Sequence, residues 1–177
     1  MADKLQLLKI GGKVLDDEAL LAQVLTTFLH LEGRKLLVHG GGKRTSELSE
    51  RLGLTPKMVD GRRITDAETL EVATMVYAGL FNKMIVSKLQ SFGVNALGLS
   101  GADGNVIQAH KRPVKTIDYG FVGDIDQVDS AAINRLIQAD FTPVFCAITH
   151  DGKGQLLNTN ADTIAAQLAM ALAPLYH

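Results

Sequence analysis

A chain of 177 residues with 46% hydrophobic and 21% charged residues has the size and balance of one domain with a buried core. Its net charge of −1 excludes the clustered basic footprint of a nucleic-acid binder, and its single cysteine, Cys146, excludes an internal disulfide framework. No apolar run approaches membrane-spanning length and residues 1–4 carry no signal-peptide core, so a cytoplasmic protein with no membrane partner is expected.

Residues 5–10 (LQLLKI) read as a buried strand, ended by Gly11 and Gly12. Residues 16–31 (DDEALLAQVLTTFLHL) place apolar side chains at helical spacing behind two acids that suit a helix N-terminus. The next strand, 35–39 (KLLVH), runs into three consecutive glycines at 40–42, and a short helix is expected over 44–52. A long helical pattern covers 66–93 and stops at Gly93. Residues 94–104 (VNALGLSGADG) return to strand and break into glycines. The β-branched and aromatic residues of 106–126 predict a hairpin outside the main sheet. A helix over 129–139, a buried strand over 141–149 (FTPVFCAIT), a turn at HDGKGQ and a final helix capped by Asn160 complete the pattern.

Strand–helix alternation of this kind predicts an α/β fold, a three-layer sandwich with a mostly parallel central sheet. The last helix runs into APLYH, where continued alternation calls for another strand, so the chain reads as a piece of a longer protein.

Glycine-rich turns follow three of the predicted strands: KIGGK, VHGGGK and GLSGADG. Ligands of open α/β sheets sit at the carboxyl ends of the strands, and a bare backbone lets several N–H groups face one anion there. The familiar phosphate loops do not fit. Leu37 stands at the first glycine position of G-x-x-x-x-G-K-[ST] and Arg44 replaces its hydroxyl residue, while Thr45 stands where G-x-G-x-x-G needs its last glycine. Lys9, charged at the end of an apolar strand, is expected to point into the ligand crevice, with a snorkelling surface lysine as the alternative. His39 has no partner pattern for catalysis or metal binding and reads as structural, and Cys146 reads as a buried small hydrophobe.

The motifs LLKIGGK, LLVHGGG, VDGRRITD and LLNTNAD stand in an order that resembles the amino-acid kinase family, with a carbamate-kinase-like fold. Within it, GRRIT and NTNAD resemble the N-acetylglutamate kinase branch. The resemblance implies transfer of phosphoryl from ATP, with Mg2+ held mainly through the nucleotide phosphates and no protein metal site. The acceptor is the γ-carboxylate of N-acetyl-L-glutamate, a step of arginine biosynthesis. It assigns Lys9 and Asp162 to catalysis, Lys9 on the ATP phosphates and Asp162 orienting active-site lysines. Gly11 and Gly12 become backbone donors on the nucleotide side, and Gly41 and Gly42 donors to the acceptor carboxylate. Arg63 becomes the fork for the α-carboxylate, chosen over Arg62 by the R-I-T alignment, and Asn158 the amide that binds the acylated amino acid. Taken singly, Arg63 is also readable as a loop cation, Asn158 as a turn residue and Asp162 as a first-turn helix acid.

The resemblance implies a C-terminal half with the adenine site and a second catalytic lysine, neither of which can be located before the chain stops after the NTNAD helix. The resemblance therefore makes residues 1–177 the N-terminal amino-acid-substrate lobe, with the ATP-binding lobe largely absent. The chain starts almost at its first strand, without the N-terminal helix of arginine-inhibited hexamers, which implies a homodimer joined through the helix after Asp66. Lys43 and Arg44 are more basic than the family pattern and raise N-succinylglutamate as an alternative acceptor. Other amino-acid carboxylates, or a non-catalytic acyl-amino-acid-binding module, are the remaining alternatives.

Overall fold

The computed structural model describes residues 4–41, 43–55, 57–59 and 62–176, with the backbone alone of Arg62. Strands β1 (Leu5–Ile10), β2 (Arg34–His39), β5 (Ala96–Leu99) and β8 (Thr142–Cys146) form a parallel sheet in the order β1-β2-β8-β5. Its register pairs Ile10 with His39, His39 with Cys146 and Leu99 with Phe145, so the carboxyl ends of all these strands lie at one edge. Leu36, Leu37, Val38, Val144 and Phe145 are fully buried, as expected of strands covered on both faces.

Helix α2 (Glu18–Leu29) connects β1 to β2, and α3 (Arg44–Arg51), α4 (Ala67–Thr74) and α5 (Asn82–Ser91) lie on the path from β2 to β5. The chain then steps back from β5 to β8 through α6 (Ser130–Gln138). Right-handed crossovers put α6, and α7 (Ala161–Leu172) packed beside it, on the face opposite α2 and α5. The three layers predicted from the alternation are present.

Four local features depart from the expectations. A separate turn of helix, α1 (Gly12–Leu15), precedes α2, and the two acids part company: Asp17 caps α2 by accepting from Leu20 N at 3.0 Å, while Asp16 reaches across to Lys43 N. The helical stretch of 66–93 is continuous but holds a π-helical segment, Met75–Phe81, between α4 and α5. The strand expected over 141–149 is split at Ala147, where the chain leaves the parallel sheet. Thr159 N donates to Ala147 O and Gly101 N to Ile148 O, and these bonds draw β9 (Ile148–His150) away. Finally, β3 (Met58–Val59) and β4 (Arg62–Arg63) form a small hairpin around VDGRRIT that the sequence did not announce.

The predicted hairpin is real, with β6 (Ile107–Lys111) antiparallel to β7 (Gly123–Val128) and a bulge at Gln108/Ala109. It sits in a second sheet, β10-β9-β6-β7, in which β10 (Leu156–Asn158) closes against β9. Residues 112–122 between its arms fold back over Thr65, with Thr65 N donating to Tyr119 O and Phe121 N to Thr65 O. Gly120 (φ +70°) permits this approach, since a Cβ there would collide with the Thr65 carbonyl.

Candidate active site

A cavity of 320 Å³ opens at the carboxyl ends of the parallel strands, where the two sheets meet. Its volume lies near the lower end of small-molecule sites, roughly 300–1,000 Å³. Gly12 and Gly40 line it from the β1 and β2 turns, Arg63 from the small hairpin, Tyr77 from the π segment, and Asn158 to Asp162 from the entry into α7. A larger cleft of 530 Å³ runs between α2 and α5, but it is lined by Leu21, Leu80 and Met84 among others and contains none of the candidate residues.

Lys9 and Asp162 meet at the rim of the cavity, Nζ to Oδ1 at 2.8 Å. The ammonium lies over the β1 turn, 3.8 Å from where a Cβ of Gly11 would be. The head of the side chain is tied to α7 at the rim, while Lys9 itself is not part of the lining. Asp162 occupies the first turn of α7, whose cap is Asn160; Oδ1 of Asn160 accepts from Asp162 N at 2.8 Å and Thr163 N at 3.1 Å. That cap fixes the backbone from which Asp162 reaches Lys9.

Arg63 is held by one edge only. Its Nη2 donates to Ser46 Oγ at 2.8 Å, while Nη1 is buried without a hydrogen-bond partner, and no carboxylate pairs with it among the described residues. A buried, uncompensated guanidinium N–H at the wall of a cavity is a demand for an acceptor, since such groups are rarely left unpaired. Asn158 stands nearby in the lining, its Nδ2 donating to Thr65 Oγ1 at 3.0 Å and its backbone N to Phe121 O at 2.9 Å. Thr65 thus holds the amide of the NTNAD motif against the strand of the GRRIT motif.

Gly41 has a packing reason to be glycine. A Cβ there would overlap the ring of Tyr77, a residue that also lines the cavity. Thr45 Oγ1 donates to Gly41 O at 3.0 Å, and Lys43 N donates to both oxygens of Asp16 at 3.1 and 2.9 Å, so Asp16 ties the two glycine turns together. Gly42 lies outside the described residues. Lys43 and Arg44 are exposed and do not line the cavity; Arg44 borders a separate cleft with Asp16, Glu18 and Glu47. Their basic character therefore says nothing about the acyl group.

His39 is fully buried below the triplet. Its Nδ1–H donates to Gly40 O at 2.8 Å, which fixes the tautomer, and Nε2 accepts from Asn82 Nδ2 at 3.1 Å. Burial lowers its pKa from 6.5 to about 4, so it is a neutral support of the loop, in line with its structural reading. Cys146 is buried as expected, and burial pushes its thiol up to about 12.

The sequence reading missed Tyr77, Ser46 and Arg112. Arg112 follows β6 in the segment taken as a peripheral hairpin, and no local signal marks it; only the fold-back over Thr65 brings it to the cavity. Among the described residues, no three His, Cys, Asp or Glu side chains converge as a metal site would require.

A model of the amino acid kinase family matches residues 4–175. The acetylglutamate kinase of Bacteroides fragilis is 56% identical over 176 residues, covering 99% of this chain and 67% of its own length. That of Phocaeicola vulgatus is 57% identical over 176 residues, covering 99% and 68%. The N-acetylglutamate synthase of Neisseria gonorrhoeae, solved with coenzyme A and N-acetyl-glutamate, superposes with a TM-score of 0.78 at 25% identity over 97% of this chain and 40% of that one. The motifs, the sheet and the cavity at its carboxyl edge are those of one family, and this chain belongs to the amino acid kinases.

Proposed function

We propose that this chain is the amino-acid-substrate lobe of an enzyme that phosphorylates the γ-carboxylate of N-acetyl-L-glutamate with ATP, giving N-acetylglutamyl 5-phosphate in arginine biosynthesis. The observation that carries the reading is the buried, unpartnered Nη1 of Arg63 in a cavity whose rim holds the Lys9–Asp162 pair. A guanidinium with a free edge and no carboxylate partner fits the α-carboxylate of an amino acid. Asn158 in the same lining fits its acylated nitrogen end.

The chemistry asks for position and charge rather than for a base. A side-chain carboxylate is already ionised at neutral pH, so the acceptor oxygen needs no proton removed. Lys9 supplies positive charge to the phosphoryl in transit, and Asp162 orients its ammonium across the rim. In this reading the backbone N–H groups of Gly11 and Gly12 serve the phosphates and that of Gly41 the acceptor, with Gly42 assigned the same role from its motif alone. Mg2+ would enter with ATP, on its phosphates. The nucleoside end of ATP is held outside this lobe. The protein is a cytoplasmic homodimer, with the exposed Met75, Leu80 and Met84 of the 67–91 helical stretch as contact, and it needs no membrane or nucleic acid.

Hydroxylamine trapping tests the reaction, because an acyl phosphate gives a hydroxamate and an ester or amine phosphate does not. The native reading frame with MgATP and N-acetyl-L-glutamate gives the hydroxamate, whereas residues 1–177 alone bind the amino acid with little turnover. Ordinary turnover by the lobe alone contradicts the assignment of its boundaries.

A further inference from the structure

The cavity holds a second guanidinium that neither the motifs nor the proposed chemistry uses. Arg112 lines it, and its Nη1 is buried without a hydrogen-bond partner among the described residues, as is Nη1 of Arg63. The rest of the Arg112 group is fixed. Its Nε donates to both oxygens of Asp124 at 3.1 Å and its Nη2 to Asp124 Oδ1 at 2.5 Å, and its plane stacks on the Tyr119 ring, 5.6 Å to the centroid. The carboxylate of Asp124 also holds the guanidinium above its ordinary pKa. An arginine clamped along its Nε–Nη2 edge and on one face, with Nη1 left without an acceptor in a residue that lines the cavity, is built to donate to something that enters.

The two arginines differ in charge balance. Arg63 has no carboxylate among the described residues, whereas Arg112 is compensated by Asp124. Placing an anion beside Arg112 would set it against the Asp124 charge. A neutral oxygen gains the hydrogen bond without that repulsion. An N-acylated amino acid presents both kinds of acceptor, an α-carboxylate and an acyl carbonyl.

Resting on the reading of this cavity as the acyl-amino-acid site, we propose that Arg112 is a specificity-determining residue whose Nη1–H donates to the acyl carbonyl oxygen. It selects N-acylated glutamate over the free amino acid, while Arg63 takes the α-carboxylate. Tyr119 and Asp124 are its positioning partners.

Calorimetry on the full chain tests this with N-acetyl-L-glutamate, N-succinyl-L-glutamate and L-glutamate as probes. Arg112→Lys keeps a cation beside Asp124 and removes the Nη1 donor; Arg112→Leu with Asp124→Leu removes both members of the pair together. Both variants are checked by thermal unfolding before titration. The expected result is a roughly 10–100-fold loss for both acylated probes, with glutamate binding unchanged, so that the preference for acylation shrinks. Unchanged affinity for N-acetyl-L-glutamate in the folded variants overturns the assignment, and a loss confined to the succinyl probe overturns the carbonyl as acceptor. If wild-type protein does not bind N-acetyl-L-glutamate, the reading of the cavity itself fails. If it binds, loses binding with Arg63→Ala and keeps it in both Arg112 variants, only the role of Arg112 fails.

Discussion

Replacing Gly41 with alanine asks a methyl group to share space with the Tyr77 ring. The Cβ position overlaps Cδ1 and Cε1 and lies 2.5 Å from Cζ. The backbone has little room to yield, since Gly41 O accepts from Thr45 Oγ1 and Asp16 holds Lys43 N two residues on. The ring must therefore move, and it is only 8% exposed. Overpacking of this kind costs about 1–3 kcal/mol, and for a chain of this length each kcal/mol lowers Tm by about 2–4 °C. We expect Gly41→Ala to melt about 2–12 °C below wild type, from those two ranges, and to bind N-acetyl-L-glutamate more weakly because the displaced ring is part of the cavity wall. In a Tyr77→Ala background the same substitution should cost under about 1 kcal/mol, a coupling that a double-mutant cycle on thermal unfolding reads directly. A wild-type melting temperature for Gly41→Ala, or an equal cost in both backgrounds, would refute the packing argument.

Three further outcomes follow from the same geometry. The pKa of His39 falls from 6.5 to about 4 on folding, so the unfolded chain binds the extra proton first as pH drops. Its contribution is full above pH 6.5, declines toward pH 4 and is flat below, for a total of about 3 kcal/mol at 1.36 kcal/mol per unit; denaturant unfolding between pH 8 and 4 should show that slope, and His39→Gln should flatten it. Asp16→Ala removes both acceptors of Lys43 N and should loosen the glycine triplet, costing about 1 kcal/mol of stability and weakening acceptor binding measurably by calorimetry. Lys9→Ala leaves Asp162, whose side chain is 72% exposed, in water, so the melting temperature should stay within the shift of about 1 kcal/mol while affinity for a non-hydrolysable ATP analogue falls.

The strands and helices were legible because their apolar residues follow period and run length: KLLVH and FTPVFC are largely buried where a covered parallel sheet buries them, whereas LQLLKI, expected as a buried strand, is the sheet's edge and only its Ile10 is buried. What escaped was set by partners far away in sequence. Ala147 looks like the middle of a strand and is instead a corner, because Thr159 and Gly101 claim the backbone on its two sides. Asp16 looks like a helix acid and spends its carboxylate on Lys43, and Gly41 looks like a bare anion donor while also yielding its side-chain volume to Tyr77. Among the candidate residues, Gly12, Arg63, Asn158 and Asp162 converge on one cavity, with Lys9 attached through Asp162. Arg112 was invisible because its spacing from every motif is irregular and only the fold-back of 112–122 delivers it.

The central claim is that the cavity between the two sheets receives N-acetyl-L-glutamate through the open edge of Arg63. Isothermal titration of that ligand into the wild-type chain and into Arg63→Ala tests it most directly. The account predicts saturable one-site binding by wild type and loss of at least roughly 10-fold in affinity for the variant at an unchanged fold, the value of a charge-assisted hydrogen bond. Equal binding by the two proteins, or none by either, would contradict it.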